Sequence, residues 1–111
     1  MIQLSHHTRI LLATQPADFR KGIDGLVALC RGVLEQNPRN GTYFVFINRS
    51  RTMIRVLVYD GSGYWLMTKR LSKARFVGWP TVDTDLSAMA ATQLRVLLSG
   101  QNPCTVQRIE P

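Results

Sequence analysis

With 111 residues, 45% of them hydrophobic, the chain is long enough to fold as one domain, residues 1–111, around a modest core. No apolar run approaches the roughly 20 residues that span a bilayer, and the first residues lack the basic and apolar regions of a signal peptide, so a cytoplasmic protein with no membrane segment is expected. The net charge of +7, from 14 basic and seven acidic residues, makes a polyanion the first partner to consider.

The first third of the chain predicts a strand followed by a helix. Residues 9–14 form a short β-type run that Gln15 and Pro16 break. Asp18 stands where a helix N-cap would accept hydrogen bonds from free backbone N–H groups. Apolar residues then recur at spacings of three and four, which predicts a helix over residues 22–35.

Three β-type segments follow, at residues 43–48, 53–60 and 64–70, and their short connectors predict an antiparallel meander. If Asp60 pairs with Gly63, side-chain alternation gives the meander two different faces. The expected apolar face carries Tyr43, Val45, Ile47, Ile54, Val56, Val58, Trp65 and Met67. The expected mixed face carries Phe44, Phe46, Arg55, Leu57, Tyr59, Tyr64, Leu66, Thr68 and Arg70.

The last third predicts a second helix over residues 86–98, with Asp85 as its N-cap and Gly100 as its stop. A short last strand is expected near residues 105–109. The predicted fold class is α+β: a small antiparallel β-meander of three to five strands, joined by the N-terminal strand, with two helices packed on one face. Cys30 and Cys104 lack metal-ligand spacing, and the sequence leaves open whether they form a disulfide.

Positive charge concentrates in one window, residues 39–75. This window holds eight basic residues and a single acid, Asp60, so it accounts for the whole net charge of +7. Aromatic residues are interleaved with these bases, a pattern typical of nucleic-acid binding. The basic residues of the window are Arg39, Arg49, Arg51, Arg55, Lys69, Arg70, Lys73 and Arg75.

The predicted nucleic-acid-binding residues lie in this window and at the start of the first helix. They are Arg20, Lys21, Arg49, Arg51, Arg55, Lys69, Arg70, Lys73 and Arg75. For Arg20 and Lys21, a role in folding the helix start competes with a role in phosphate contact. A second set of side chains offers rings on which bases could stack, although an ordinary core is the preferred interpretation. These aromatic residues are Phe44, Phe46, Tyr59 and Tyr64.

Other chemistries find little support in the sequence. His6 and His7 have no cysteine or carboxylate partner at ligand spacing. The chain has no catalytic-triad, P-loop or dinucleotide-binding pattern. A two-metal nuclease site would require Asp60, Asp83 and Asp85 to converge. The prediction is a protein that is not an enzyme and that holds no metal or cofactor.

Two motifs make the chain resemble a known family. The first is Asp18-Phe19-Arg20-Lys21-Gly22-Ile23-Asp24-Gly25-Leu26. The second is the series Asp60-Gly61-x-Gly63, Lys69-Arg70-Leu71, Phe76 and Trp79-Pro80. Over nearly its whole length the sequence resembles the accessory protein TnpB, the second open reading frame product of the bacterial insertion-sequence family sixty-six. It departs from that family in two places: the turn at residues 48–52 lacks the usual glycine, and Gly78 is an extra residue before Trp79.

The resemblance implies a non-enzymatic accessory role in DNA transposition, beside a separate transposase and a second small accessory protein. We therefore expect the protein to bind DNA, or to bridge DNA and the transposase, through its basic surface. The alternative is a protein–protein interaction module, a homodimer or a transposase partner, whose interface is the mixed sheet face together with Trp79. Salt separates the two, because DNA binding weakens sharply with salt and an aromatic interface does not.

Overall fold

The computed structural model describes residues 7–102, which form five strands and two α-helices. A single-turn 3-10 helix, Phe19–Lys21, precedes the first α-helix. The elements in chain order are β1 (Ile10–Ala13), α1 (Gly22–Arg31), β2 (Tyr43–Ile47), β3 (Met53–Tyr59), β4 (Tyr64–Arg70), β5 (Leu86–Ala88) and α2 (Ala91–Leu98). Within residues 7–102, no helix has the length and apolar character needed to cross a membrane.

The five strands form one sheet in the order β4-β3-β2-β1-β5. The predicted meander is confirmed: β2, β3 and β4 are antiparallel neighbours, Val56 lies opposite both Val45 and Met67, and the Asp60 N–H donates to the Gly63 carbonyl at 3.0 Å. The sheet as a whole is mixed rather than antiparallel, because β1 runs parallel to β2. Parallel neighbours need a crossover connection, and α1 supplies it.

The two helices pack on opposite faces of the sheet, so the prediction that both lie on one face is wrong. On the apolar face, Val45 and Ile54 share a core with Leu94 of α2. On the mixed face, Phe44 and Leu57 share a second core with residues of α1. Strand residues alternate between faces, and both faces of β2 and β3 carry enough large apolar side chains to hold a helix. The predicted α+β class, with three to five strands and two helices, is confirmed by the five strands and two α-helices of residues 7–102.

The segment predicted as one helix over residues 86–98 is a strand followed by a shorter helix. Leu86 lies opposite Ala13, and the carbonyl of Asp85 accepts the N–H of Thr14 at 3.0 Å, so Asp85 is not the predicted N-cap. The helix begins after Ala90, whose N–H donates to the Gln93 side chain at 3.2 Å. Residues 86–88 form hydrogen bonds with the open edge of β1. This stabilisation comes from a distant part of the chain, so the local spacing of apolar residues cannot predict it.

The first helix also ends earlier than predicted, at Arg31, and a left-handed Glu35 (φ 52°) follows it. Asp18 caps the helical segment as predicted, because its carboxylate accepts the backbone N–H of Arg20 at 3.0 Å. Gly100 adopts φ 90° after α2 and provides the expected stop. Cys104 and the predicted strand near residues 105–109 lie outside the described residues.

Candidate nucleic-acid interface

The turn between β2 and β3 is held in shape by the side chain of Asn48. Its Oδ1 atom accepts the backbone N–H groups of Thr52 and Met53, each at 3.0 Å, and its Nδ2 donates to Thr52 Oγ1 at 3.2 Å. Arg51 adopts a left-handed conformation, φ 63°, which a glycine would adopt more readily. The asparagine side chain thus stabilises a turn that lacks the expected glycine, and Arg49 is exposed at its tip.

The loop that follows β4 folds back onto this same turn. The Leu71 N–H donates to the Thr52 carbonyl at 3.0 Å, and the Phe76 N–H donates to the Arg51 carbonyl at 2.8 Å. Phe76 is buried in the core beneath, so the loop is anchored at both ends. Its residues Lys73 and Arg75 are exposed.

The strand register places two more basic residues at this end of the sheet. Lys69 lies opposite Ile54, and Arg70 lies opposite Met53, directly after the turn. The structure therefore gathers six predicted site residues from two separate stretches of chain, residues 49–51 and 69–75. We call them the basic end: Arg49, Arg51, Lys69, Arg70, Lys73 and Arg75.

Arg20 borders the same end from the other side of the turn. A cleft of about 560 Å³ separates the 3-10 helix from the turn, and Arg20 and Arg49 both line it. The Arg20 guanidinium pairs with Asp18 at 2.9 Å, and these hydrogen bonds, from the Arg20 side chain first, lower the pKa of Asp18 to about 2. Part of the positive charge of Arg20 is thus already balanced, although its side chain is 90% exposed.

The glycines of the first motif explain why the chain can turn so tightly here. Gly22 joins the 3-10 helix to α1 with φ 68°, a conformation that disfavours side chains. A Cβ at Gly25 would collide with the Cβ of Lys21, so the glycine lets the lysine stem lie against the helix. These contacts support the folding interpretation of the motif, while Lys21 itself remains exposed.

Arg55 holds the 3-10 helix onto the sheet. Its Nη1 donates to the Phe19 carbonyl at 2.6 Å, and its Nε donates to Thr68 Oγ1 at 3.1 Å. The guanidinium carbon also lies 4.8 Å from the centre of the Phe19 ring, a cation–π contact. Arg55 is half-buried and supports the site from below, a role that sequence alone did not reveal.

The aromatic residues of the mixed face do not form an open stacking surface. Phe44 and Phe46 are fully buried beneath α1, which confirms the core interpretation. Tyr59 and Tyr64 contact each other edge to face, with ring centres 5.0 Å apart. Arg39 lies over the Tyr59 ring, so this basic residue lies at the opposite end of the sheet from the basic end.

Trp79 is also a core residue, which corrects the surface assumed for the protein–protein alternative. Its side chain is 5% exposed, and its indole N–H donates to the Ala13 carbonyl at 3.1 Å. Gly78 precedes it with φ 79°, so the extra residue is accommodated by a left-handed turn that directs the indole inward. Because Trp79 is buried, and Phe44, Phe46 and Leu57 are buried in the core with α1, the interface cannot form from the residues that the alternative assumed.

The three aspartates of the nuclease hypothesis do not converge. Asp60 follows β3 beside the start of β2, whereas Asp85 lies beside Thr14 at the end of β1. Because β1 and β2 are parallel, these are opposite ends of the sheet. Across residues 7–102, no three His, Cys, Asp or Glu residues are grouped so that they could hold a metal ion.

Comparison with known proteins decides the family. The model of the family described as IS66 Orf2 like protein matches residues 8–108. The chain belongs to the IS66 Orf2-like family. It is similar to two uncharacterized proteins of Sinorhizobium fredii, y4hO and y4jC. It is 39% identical to y4hO over 100 residues, which are 90% of this chain and 86% of y4hO. It is 39% identical to y4jC over 108 residues, which are 97% of this chain and 92% of y4jC. No solved structure matches the chain.

Family membership makes this chain a transposition-associated accessory protein. Both motifs that carried the resemblance have visible positions in the IS66 Orf2-like structure. The first builds the capped start of α1, and the second contributes the β3–β4 turn, the end of β4 and the anchored loop. The motifs are therefore tied to the architecture around the basic end.

Proposed function

We propose that this accessory protein binds DNA through its basic end. The observation that carries the proposal is that two stretches separated in sequence, residues 49–51 and 69–75, place Arg49, Arg51, Lys69, Arg70, Lys73 and Arg75 around one turn. Such a cluster attracts the phosphate backbone and gains free energy by releasing condensed counterions. Transposition acts on DNA, so DNA is the polyanion that we expect the basic end to bind.

The turn is suited to phosphate contact because it is already shaped before binding. Asn48 fixes its backbone, and Phe76 anchors the adjoining loop in the core. Charged side chains on a fixed backbone lose less conformational entropy on binding than the same side chains on a mobile loop. Arg20 and Lys21 flank the turn and extend the surface, and Arg55 supports it from beneath.

Charge is distributed unevenly along this end of the sheet. The basic residues surround the adjoining ends of β3 and β4, whereas Asp85, two residues after Asp83, lies beside Thr14 at the end of β1. A phosphate backbone is attracted to one side and repelled from the other. The proposed DNA path therefore lies across the β2–β3 turn and the end of β4.

The experiment compares two triple variants that lose the same charge. Arg49→Gln/Lys73→Gln/Arg75→Gln removes three of the six positive charges of the basic end, and Arg9→Gln/Arg31→Gln/Arg39→Gln is the matched control from elsewhere on the surface. Fluorescence anisotropy is measured with a random duplex and with the terminal repeat of the mobile element, between about 50 and 200 mM salt. The first variant should lose affinity for both duplexes, and the control should bind like the wild type. No binding by the wild type at low salt would contradict the proposal and make the transposase or the second accessory protein the partner to test.

A further inference from the structure

Strand β4 ends the sheet, and within residues 7–102 no strand pairs with its outer edge. Its seven residues pair with β3 in unbroken register, without a bulge or a proline. The N–H of Asp60 donates to the Gly63 carbonyl, and the N–H of Leu71 donates to the Thr52 carbonyl, so Gly63 and Leu71 direct these backbone groups toward β3. Antiparallel ladders alternate inward and outward groups, so the even-numbered residues of β4 direct their backbone N–H and C=O groups away from β3. These are Tyr64, Leu66, Thr68 and Arg70.

We propose that this edge pairs with the same edge of a second copy, antiparallel and centred on Met67. In this register Leu66 lies opposite Thr68 of the second copy, and Tyr64 lies opposite Arg70 of the second copy. Each of these residues directs its backbone groups outward, so every such pair can exchange two N–H···O bonds. The sheet then continues through both copies.

The side chains of β4 complement themselves in this register on both faces. On the α2 face, Trp65 lies opposite Lys69 of the second copy, and Trp65 is 58% exposed although it is a large apolar residue. Its indole N–H donates to the Asp60 carboxylate at 2.8 Å, so the incoming ammonium meets both an aromatic ring and a negative charge. On the α1 face, Tyr64 meets Arg70 of the second copy. Directly opposite residues have Cβ atoms about 5 Å apart, which is within reach of such contacts.

Charge also favours an antiparallel pairing of the two edges over a parallel one. Strand β4 contains no acid, and its two bases, Lys69 and Arg70, both lie at its C-terminal end. A parallel pairing would place like charges side by side, which is destabilising. The antiparallel pairing places the basic residues Lys69 and Arg70 of one copy against the aromatic residues and Asp60 of the other. A second copy of this chain is therefore the occupant that the edge fits.

The test measures molar mass by sedimentation velocity over a concentration series, in the absence of DNA, so its result is independent of the proposed function. The wild type should associate to a dimer. Trp65→Lys should weaken the dimer roughly tenfold or more, because it sets two like charges opposite each other. Adding Lys69→Glu to it should restore the dimer, because the introduced lysine then faces a glutamate of the second copy. Val33→Lys, at a site 62% exposed next to α1, is the matched control and should leave the mass unchanged.

Thermal melts followed by circular dichroism check that each variant is folded. A monomeric wild type would overturn the proposal, whether another protein or the chain's own terminal residues cover the edge. A dimer that tolerates Trp65→Lys would overturn it as well. Folded variants in which Lys69→Glu fails to restore association would overturn the register centred on Met67.

Discussion

Asn48 shows how one uncharged side chain can control a charged surface. Its side chain bonds two backbone N–H groups of the turn, while its own N–H donates to the Met53 carbonyl at 3.1 Å. Arg51 is left-handed between these anchors, a conformation that needs support in a residue with a Cβ. The sequence does not single out Asn48, because it carries no charge and lies at a strand end.

We predict that Asn48→Ala lowers the free energy of unfolding by about 1–3 kcal/mol, because Thr52 and Met53 lose their shared acceptor. DNA affinity should fall as well, because the basic side chains of the turn are no longer held in place. Urea denaturation and anisotropy measure the two effects. Asn48→Asp keeps the Oδ1 acceptor and should retain most of the stability. An alanine variant as stable as the wild type would show that the turn does not depend on this side chain.

Asp60 provides a prediction about pH. Hydrogen bonds from the Ser62 backbone, the Trp65 indole and the Ser62 hydroxyl stabilise its carboxylate and lower its pKa to about 2 from an ordinary 3.8. A lowered folded-state pKa means that this contribution to stability is fully present above about pH 4 and is lost as the pH falls toward 2. Asp60→Asn should therefore be less stable than the wild type at pH 7, and the difference should shrink between about pH 4 and 2.

Chemical denaturation at several pH values measures this convergence. Asp83→Asn, which changes an exposed loop residue, is the control and should behave like the wild type at pH 7. A difference between Asp60→Asn and the wild type that stays constant down to pH 2 would mean that the hydrogen bonds to the carboxylate do not stabilise the fold.

At the scale of elements, the 3-10 helix depends on the sheet for its position. Arg55 joins Phe19 to Thr68 through two hydrogen bonds and a ring contact. Arg55→Lys should lower the free energy of unfolding by about 1–2 kcal/mol, because an ammonium cannot reproduce the planar fork and the stacking of a guanidinium. Amide exchange should increase at Phe19–Lys21, and DNA affinity should change little, because Arg55 lies beneath the surface.

Arg31→Lys tests whether this effect belongs to the site, since Arg31 is exposed at the end of α1. It should leave both stability and exchange unchanged. If Arg55→Lys instead abolished DNA binding with the fold intact, the side chain would be a direct contact and not a support.

Some elements were predictable because their signals are local. The β3–β4 hairpin follows from alternation and a short glycine turn, and its register is as predicted through Asp60 and Gly63. Residues 86–98 were not predictable, because Leu86 joins β1 from more than 70 positions away. Local periodicity contains no information on such a pairing, so it predicts one helix where the structure has a strand followed by a helix.

At the scale of the whole molecule, the sequence indicates which basic residues are candidates for the binding surface, but it does not show how the fold groups them. The grouping depends on two long-range contacts, the Phe76 N–H on the Arg51 carbonyl and the pairing of Lys69 with Ile54. The placement of the helices was also beyond reach, because both sheet faces are apolar enough to be covered. Once α1 covers the mixed face, its phenylalanines belong to the core, and charge is left as the main surface feature at the basic end.

The salt dependence of DNA binding tests the central claim most directly. Each phosphate contact contributes about −0.9 to the slope of log K against log salt for duplex DNA. Arg49→Gln/Lys73→Gln/Arg75→Gln should therefore reduce the magnitude of the wild-type slope by up to about 2.7, whereas the control from Arg9, Arg31 and Arg39 should leave it unchanged. Equal slopes for the two variants would show that charge in general, and not the basic end, holds the DNA, and would contradict the account.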